Sequence, residues 1–176
     1  MQEEYRKISR PEEGEYAPYA ISYISLVPDE RVLYHLQQNN NALNKLIAAQ
    51  SEDRLNKGYA PGKWTLKELM VHVTDTERIF AYRALCIARG EQALLPGFDE
   101  NAYAAASDAQ NRSIENIMVE YNSVRQASIA LLSGFSDEVF LNIGNANNIP
   151  VSVRALAYQI AGHEMHHMNI IKERYL

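Results

Sequence analysis

The sequence predicts an all-α protein, a four-helix bundle. Three observations predict it. Apolar residues recur at three- and four-residue spacing in four separate stretches, each of about 20 to 25 residues. No stretch alternates apolar and polar residues with the two-residue period of a half-buried strand. Polar capping residues, Gly and Pro punctuate the ends of the stretches.

The elements follow in order. Residues 1 to 28 read as an irregular leader broken by Pro11, Gly14, Pro18 and Pro28, whose apolar run Tyr19–Val27 is expected to pack on the body. The first helix starts after Pro28 with Asp29 as N-cap, because a carboxylate accepts the free N–H groups and complements the helix dipole. Val32, Leu33, Leu36, Leu43, Leu46 and Ile47 mark its buried face; the pattern fades near Asn56, and Gly58-Tyr-Ala-Pro-Gly62 is a turn cluster. The second helix opens at Thr65-Leu-Lys-Glu68, a capping box in which each side chain satisfies the other's backbone N–H. It runs to Arg89, stops at Gly90 and carries Leu69, Val73, Ile79, Phe80 and Ile87 as its stripe.

Residues 91 to 111 read as a long, partly ordered connection containing Leu95-Pro-Gly-Phe-Asp99. The third helix begins near Ser113, carries Ile114, Ile117, Met118, Tyr121, Ile129 and Leu132, and ends at Gly134; Ser136-Asp-Glu138 starts one further turn. Asn142 to Asn148 is polar and reads as a loop. The fourth helix takes Ser152 as N-cap and runs to the C-terminus on Val153, Leu156, Ile160, Ile170 and Ile171. The link between the second and third helices is long for a simple hairpin and allows a crossover connection. The expected organisation is a leader over 1–28 and one helical domain over 29–176.

Composition narrows the chemistry. A chain of 176 residues suits one domain, and its 47% apolar content excludes a wholly disordered polypeptide. No run approaches the ~18 apolar residues of a membrane span. The start MQEEYRKISRPEEGEY has no apolar signal region, so a cytoplasmic protein without membrane association is expected. A net charge of −5 weighs against a broad nucleic-acid-binding face. The lone Cys86 excludes an intramolecular disulfide and a Cys-based zinc cluster, so any metal site must draw on the five His and the carboxylates.

Helical wheels single out three His. With His163 at zero, Leu156 falls at about +20°, Ile160 at +60°, Ile170 at −20° and His167 at +40°, near the centre of the buried stripe. His166 falls at about −60°, on the margin, as a rim or interface residue that a rotation of the helix would bring inward. With His72 at zero, Leu69 lies at about +60°, Ile79 at −20° and Phe80 at +80°, so His72 is inside the stripe of its helix. An i, i+4 pair stands one turn apart, which lets both imidazoles of His163-Glu-Met-His-His167 reach one ion. A buried neutral imidazole needs a partner for both its donor and its acceptor. Three separately satisfied core His would answer that need; one shared divalent metal with open coordination positions also would, and an open position takes water or substrate. His35, beside Leu36 on the first helix, is read as a non-ligand.

With these residues in place, the chain resembles the DinB/YfiT-like superfamily of metal-binding four-helix bundles. The resemblance is carried by Pro61-Gly-Lys-Trp-Thr-Leu-Lys-Glu-Leu-Met-Val-His72, Asp75-Thr-Glu-Arg78 and Gly162-His-Glu-Met-His-His167, together with Phe98-Asp99 and Val124-Arg125. It spans residues 29–176. The resemblance implies an up-down-down-up order of the helices and a homodimer. It also implies a divalent metal, nickel or zinc, held by His72, His163 and His167. The activities it implies are S-transfer from low-molecular-weight thiols such as bacillithiol, thiol-dependent isomerisation and metal-dependent hydrolysis. The Tyr-rich leader and the His166-His167 doublet depart from the family pattern, so no substrate class is carried over.

Other polar residues fill supporting roles. Glu68 is either the capping-box partner or an acceptor that orients His72 from behind, a role for which Asp75 is the second candidate. Arg83 and Arg125 lie on inward stripes; Arg83, about 16 Å along the axis from His72, is too far to touch the ion. Each arginine is read first as a structural ion pair, Arg83 with Asp75, Glu77 or Glu164, and otherwise as a clamp for an anionic substrate. Trp64 reads as a core anchor, while Tyr59 and Tyr103 lie in loops that could rim a site. The expected function is a metal-dependent enzyme acting on a small molecule, activating a thiol for S-transfer or, second, water for hydrolysis. The alternative is a non-catalytic metal-binding or interaction protein.

Overall fold

A computed structural model describes residues 6–176 of the chain. In chain order its helices are α1 (Ile21–Ile24), α2 (Val32–Ala48), α3 (Glu52–Leu55), α4 (Leu66–Ala88), α5 (Glu100–Ala106), α6 (Ile114–Ser133) and α7 (Val153–Ile170). Strands β1 (Ile143–Ala146) and β2 (Ile149–Ser152) form an antiparallel hairpin between α6 and α7. The frame is helical, built on the four long helices α2, α4, α6 and α7. No helix among the described residues is long and apolar enough to cross a membrane.

Local chemistry explains most boundaries. The Thr65–Glu68 capping box is formed: Thr65 N–H donates to Glu68 Oε2 at 2.8 Å, and Glu68 N–H donates to Thr65 Oγ1 at 3.1 Å. Ser113 and Ser152 cap α6 and α7 by accepting from Asn116 N–H and Ala155 N–H. The first long helix starts later than expected. Asp29 spends its carboxylate on the N–H and guanidinium of Arg31, closing a turn ahead of the helix, and Arg31 becomes the N-cap of α2. Within the connection 91–111, Asp99 accepts from Asn101 and Ala102 N–H and starts α5.

The stretch Asn142–Asn148 is not a loop. Asn147 and Asn148 have φ of 54° and 63°, the left-handed pair that a tight hairpin turn requires and that Asn adopts at low cost. Leu95 joins this hairpin, donating its N–H to Asn145 O and accepting from Asn147 N–H. The connection after α4 is thereby tied to the segment before α7.

The apolar interior falls into two clusters. Along α7 the first runs from Val153 to Ala161, and the second resumes at Met168. Along α4 the second runs from Leu66 to Val73, and the first resumes at Phe80. Between them, both helices turn polar residues inward, with Thr76 and Glu77 on α4 facing the same gap as His163, Glu164 and His167 on α7. The leader completes the first cluster with Ile8, Ile24 and Val27, all buried. Its seating depends on Gly162: a Cβ there would collide with the backbone of Tyr23 in α1.

Candidate metal centre

The ring nitrogens of His72, His163 and His167 converge. His72 Nε2 lies 3.1 Å from His163 Nε2, and His167 Nε2 lies 3.0 Å from the same atom. All three side chains are buried, and their donor atoms lie within 4.8 Å of one another. The helices produce this directly: His163 and His167 are one turn apart on α7, and His72 sits opposite on α4. Aromatic rings fix the walls, with Trp64 packed at a tilt on His72, 4.7 Å between centroids, and Tyr23 edge-on at 5.3 Å to His163.

Electrostatics keeps the three rings neutral. Burial holds His72 down to about 4. Burial, then the neighbouring His72 and His166, holds His167 down to about 3. Burial first, with His167, His72 and His166 adding to it, puts His163 well below the ordinary value. Neutral imidazoles are the ligand form. The hydrogen bonding among them is incomplete: His163 Nε2 faces two other ring nitrogens, and one N–H serves only one of them well. His167 Nδ1 is buried without a partner among the described residues. Three nitrogen lone pairs aimed at one point therefore fit a borderline-soft divalent ion such as zinc or nickel better than they fit each other.

The other expected site residues are distributed as follows. Glu68 is held by Thr65 in the capping box, its Oε2 also accepting from the Thr65 hydroxyl at 3.0 Å, and it is not among the His72 contacts. Asp75 faces Arg78 at 3.5 Å on the flank of α4 and is not brought to the His cluster. His35 is satisfied by Asp29 at 2.9 Å, away from the cluster. His166 is half-buried at the rim, its ring 5.2 Å from that of His167.

The two arginines separate. Arg125, with no exposed side-chain surface, holds Glu77 through Nε and Nη2 and Glu164 through Nη1 at 2.8 Å, and also donates to Leu36 O. Tyr121 donates its hydroxyl to the other oxygen of Glu164. Arg83 makes no ion pair among the described residues, which corrects the structural pairing expected for it. Glu77 and Glu164 are taken by Arg125, and Asp75 by Arg78, leaving Arg83 to donate to Pro96 O at 2.6 Å.

The three His open onto a pocket of ≈ 530 Å³. Its wall runs from the His cluster past Thr76, Phe80 and Gln159 to Arg83 and the hairpin. Tyr23, Thr76 and Gln159 were not singled out in the sequence. Thr76 lies four residues after His72 and Gln159 four before His163, so helical spacing places each on its helix's site face. Tyr23 reaches the site through the contact of α1 with Gly162, which leaves no periodic signal.

The family model of the DinB superfamily matches residues 35–171. A putative metal-dependent hydrolase from Oceanobacillus iheyensis is 23% identical over 141 residues, which cover 80% of this chain and 81% of that protein. Among solved structures, YfiT from Bacillus subtilis aligns with a TM-score of 0.71 at 17% identity, covering 94% of this chain and 90% of its own. It is described as a probable metal-dependent hydrolase with an unusual four-helix bundle topology. At that identity the likeness speaks for the fold. The match of the family model, over most of the helical frame and all three converging His, places the chain in the DinB superfamily.

Proposed function

We propose that the protein is a metal-dependent enzyme acting on a small molecule, with His72, His163 and His167 holding a divalent ion, zinc or nickel. The observation that carries this reading is the convergence of three buried, neutral Nε2 atoms on one point at the end of an open pocket. A bound divalent ion there would polarise a substrate atom and lower the pKa of water or a thiol. The chain's own residues would do the rest. Trp64 and Tyr23 hold the imidazole planes, Phe80 keeps one wall dry, and the Arg125 cluster locks Glu164 beside His163. Hydrolysis is the first reading, in keeping with the name of the Oceanobacillus relative.

A second reading, transfer of a low-molecular-weight thiol, is favoured by the makeup of the wall. Among the described residues its one carboxylate, Glu100, is exposed, and Glu164 is held by Arg125 and Tyr121 outside the wall, so no carboxylate of the wall stands buried beside the His to take a proton from water. A thiol ionises more readily on its own. Cys86 is not part of the pocket wall, so such a thiol would come from solution. In this reading residues 29–176 form the bundle and 1–28 its leader. The four long helices run up-down-down-up, in keeping with the long α4–α6 connection. Two copies associate as a cytoplasmic homodimer, and the net charge of −5 speaks against nucleic acid as partner.

The test is elemental analysis of protein purified without a His tag. Near-stoichiometric zinc or nickel is expected, with the His163→Ala variant losing it; full metal in that variant would sink the assignment. Turnover of ester, amide or electrophile–thiol pairs by the metal-loaded protein then separates hydrolysis from thiol transfer.

A further inference from the structure

The far end of the pocket holds a buried cation that no anion among the described residues pairs. Arg83 is 8% exposed, lines the pocket and spends one of its five N–H donors on Pro96 O. Its guanidinium also lies 5.9 Å from the centroid of Phe80. No carboxylate among the described residues pairs with it, although every other buried arginine of this chain, Arg125 and Arg154, has one. A charge taken out of water without a counter-ion is expensive, and proteins usually pair it.

Two further polar groups in the same wall are unused. Thr76 is 2% exposed and its Oγ1 has no hydrogen-bond partner among the described residues. Gln159 is 4% exposed, and its amide makes no hydrogen bond among the described residues. Thr76 stands one turn beyond His72, and Gln159 one turn before His163. The pocket therefore presents three stations in order: the His cluster, an uncharged pair able to donate and accept, and a single cation.

We infer that the substrate is a small elongated acid, whose carboxylate is bound by Arg83 while its reacting end lies at the three His. The planar fork of a guanidinium matches a carboxylate bidentately. One cation, with no lysine in the wall and Glu100 at the mouth, balances a singly charged carboxylate rather than a doubly charged phosphate. An amide, carbonyl or hydroxyl in the middle of the molecule satisfies Thr76 and Gln159. The length is bounded as well. Phe80 lies 6.2 Å from the His163 ring and Arg83 5.9 Å from Phe80, so guanidinium and imidazole are at most about 12 Å apart. A chain of roughly four to eight carbon atoms bridges that span. Arg83 is here a binding residue that reads one end of the substrate.

This inference rests on the metal reading, and the experiment separates the two. The zinc- or nickel-reconstituted protein is titrated calorimetrically with acetohydroxamate, which needs only the ion, and with ω-carboxyalkyl hydroxamates from malonic to suberic length. Methyl esters of the latter serve as neutral matches. The wild type is expected to prefer the acid over its ester by about 10- to 100-fold at the fitting length. Arg83→Gln should lose that preference while keeping its metal content and its affinity for acetohydroxamate; Arg83→Lys should keep part of it. Equal affinity of the wild type for acid and ester at every length would overturn the carboxylate assignment and leave the metal reading standing. Absence of acetohydroxamate binding to reconstituted protein would overturn both.

Discussion

At the scale of single residues, Arg125 is the side chain whose removal should matter most for stability. It is the largest of the fully buried side chains and stands between Glu77 and Glu164. Burial raises the pKa of Glu164, and Arg125 and Tyr121 offset only part of that rise. Arg125→Met would leave two carboxylates in the interior without their cation, a change that typically costs 3–5 kcal/mol. Urea unfolding at neutral pH should show a loss of about that size. The sign of the pH dependence follows. In the variant Glu164 keeps the burial that raises its folded pKa and loses the cation that lowers it, so its penalty is greatest above that raised value and relaxes as pH falls toward the unfolded one. The deficit against wild type should therefore shrink as pH falls through the carboxylate range. A loss that stays below ~1 kcal/mol at neutral pH would show that the cluster is dispensable. The sequence placed Arg125 and Arg83 alike on inward stripes. Nothing local distinguishes them, because which arginine wins Glu77 and Glu164 is settled only when α4, α6 and α7 meet.

At the scale of elements, the leader is the piece that brings Tyr23 to the site, and Gly162 is the position that admits it. Gly in the middle of a helix is ordinarily a liability of about 0.5–1 kcal/mol against Ala. Gly162→Ala should have the opposite sign here, because the added methyl meets the carbonyl of Tyr23, a backbone atom that a rotamer change cannot move. A lowered melting temperature is expected, with metal content retained, since all three His are carried by α4 and α7 and Tyr23 of α1 only packs edge-on against the His163 ring. A rise in melting temperature would mean that the leader gives way freely. The same scale shows what local sequence signals reach. The α4, α6 and α7 starts were readable because Thr65, Ser113 and Ser152 cap through neighbours three residues away. The hairpin was not, because each strand has four residues and β2 contains Pro150. Its one local signal was the Asn147-Asn148 pair, whose left-handed tolerance fits a two-residue turn. The seat of α1 had no signal at all, since it depends on a missing side chain in α7.

At the scale of the whole molecule, the candidate site lies in the polar gap between two apolar clusters, and it spans the two helices that carry both clusters. The three His were legible because helical wheels fix direction once an element is known; the pocket was not, because its far wall comes from the hairpin and the α4–α5 connection. This placement makes a bound ion a brace between α4 and α7, and that has a measurable consequence. A ligand that binds only the folded state stabilises it by about 2.7 kcal/mol at a hundred times its dissociation constant. For a domain of this size each kcal/mol moves the melting temperature by roughly 2–4 °C. Zinc or nickel added to chelator-stripped protein should therefore raise the melting temperature by about 5–10 °C under those conditions. His72→Ala removes the one proposed ligand on α4, so the ion would engage α7 alone and the helices would no longer be tied through it. Most of the shift should vanish in that variant even where some metal still binds. An undiminished shift in His72→Ala would mean that the ion is held within α7 or at another site, and that the joining of the two helices through His72 is not the source of the stabilisation.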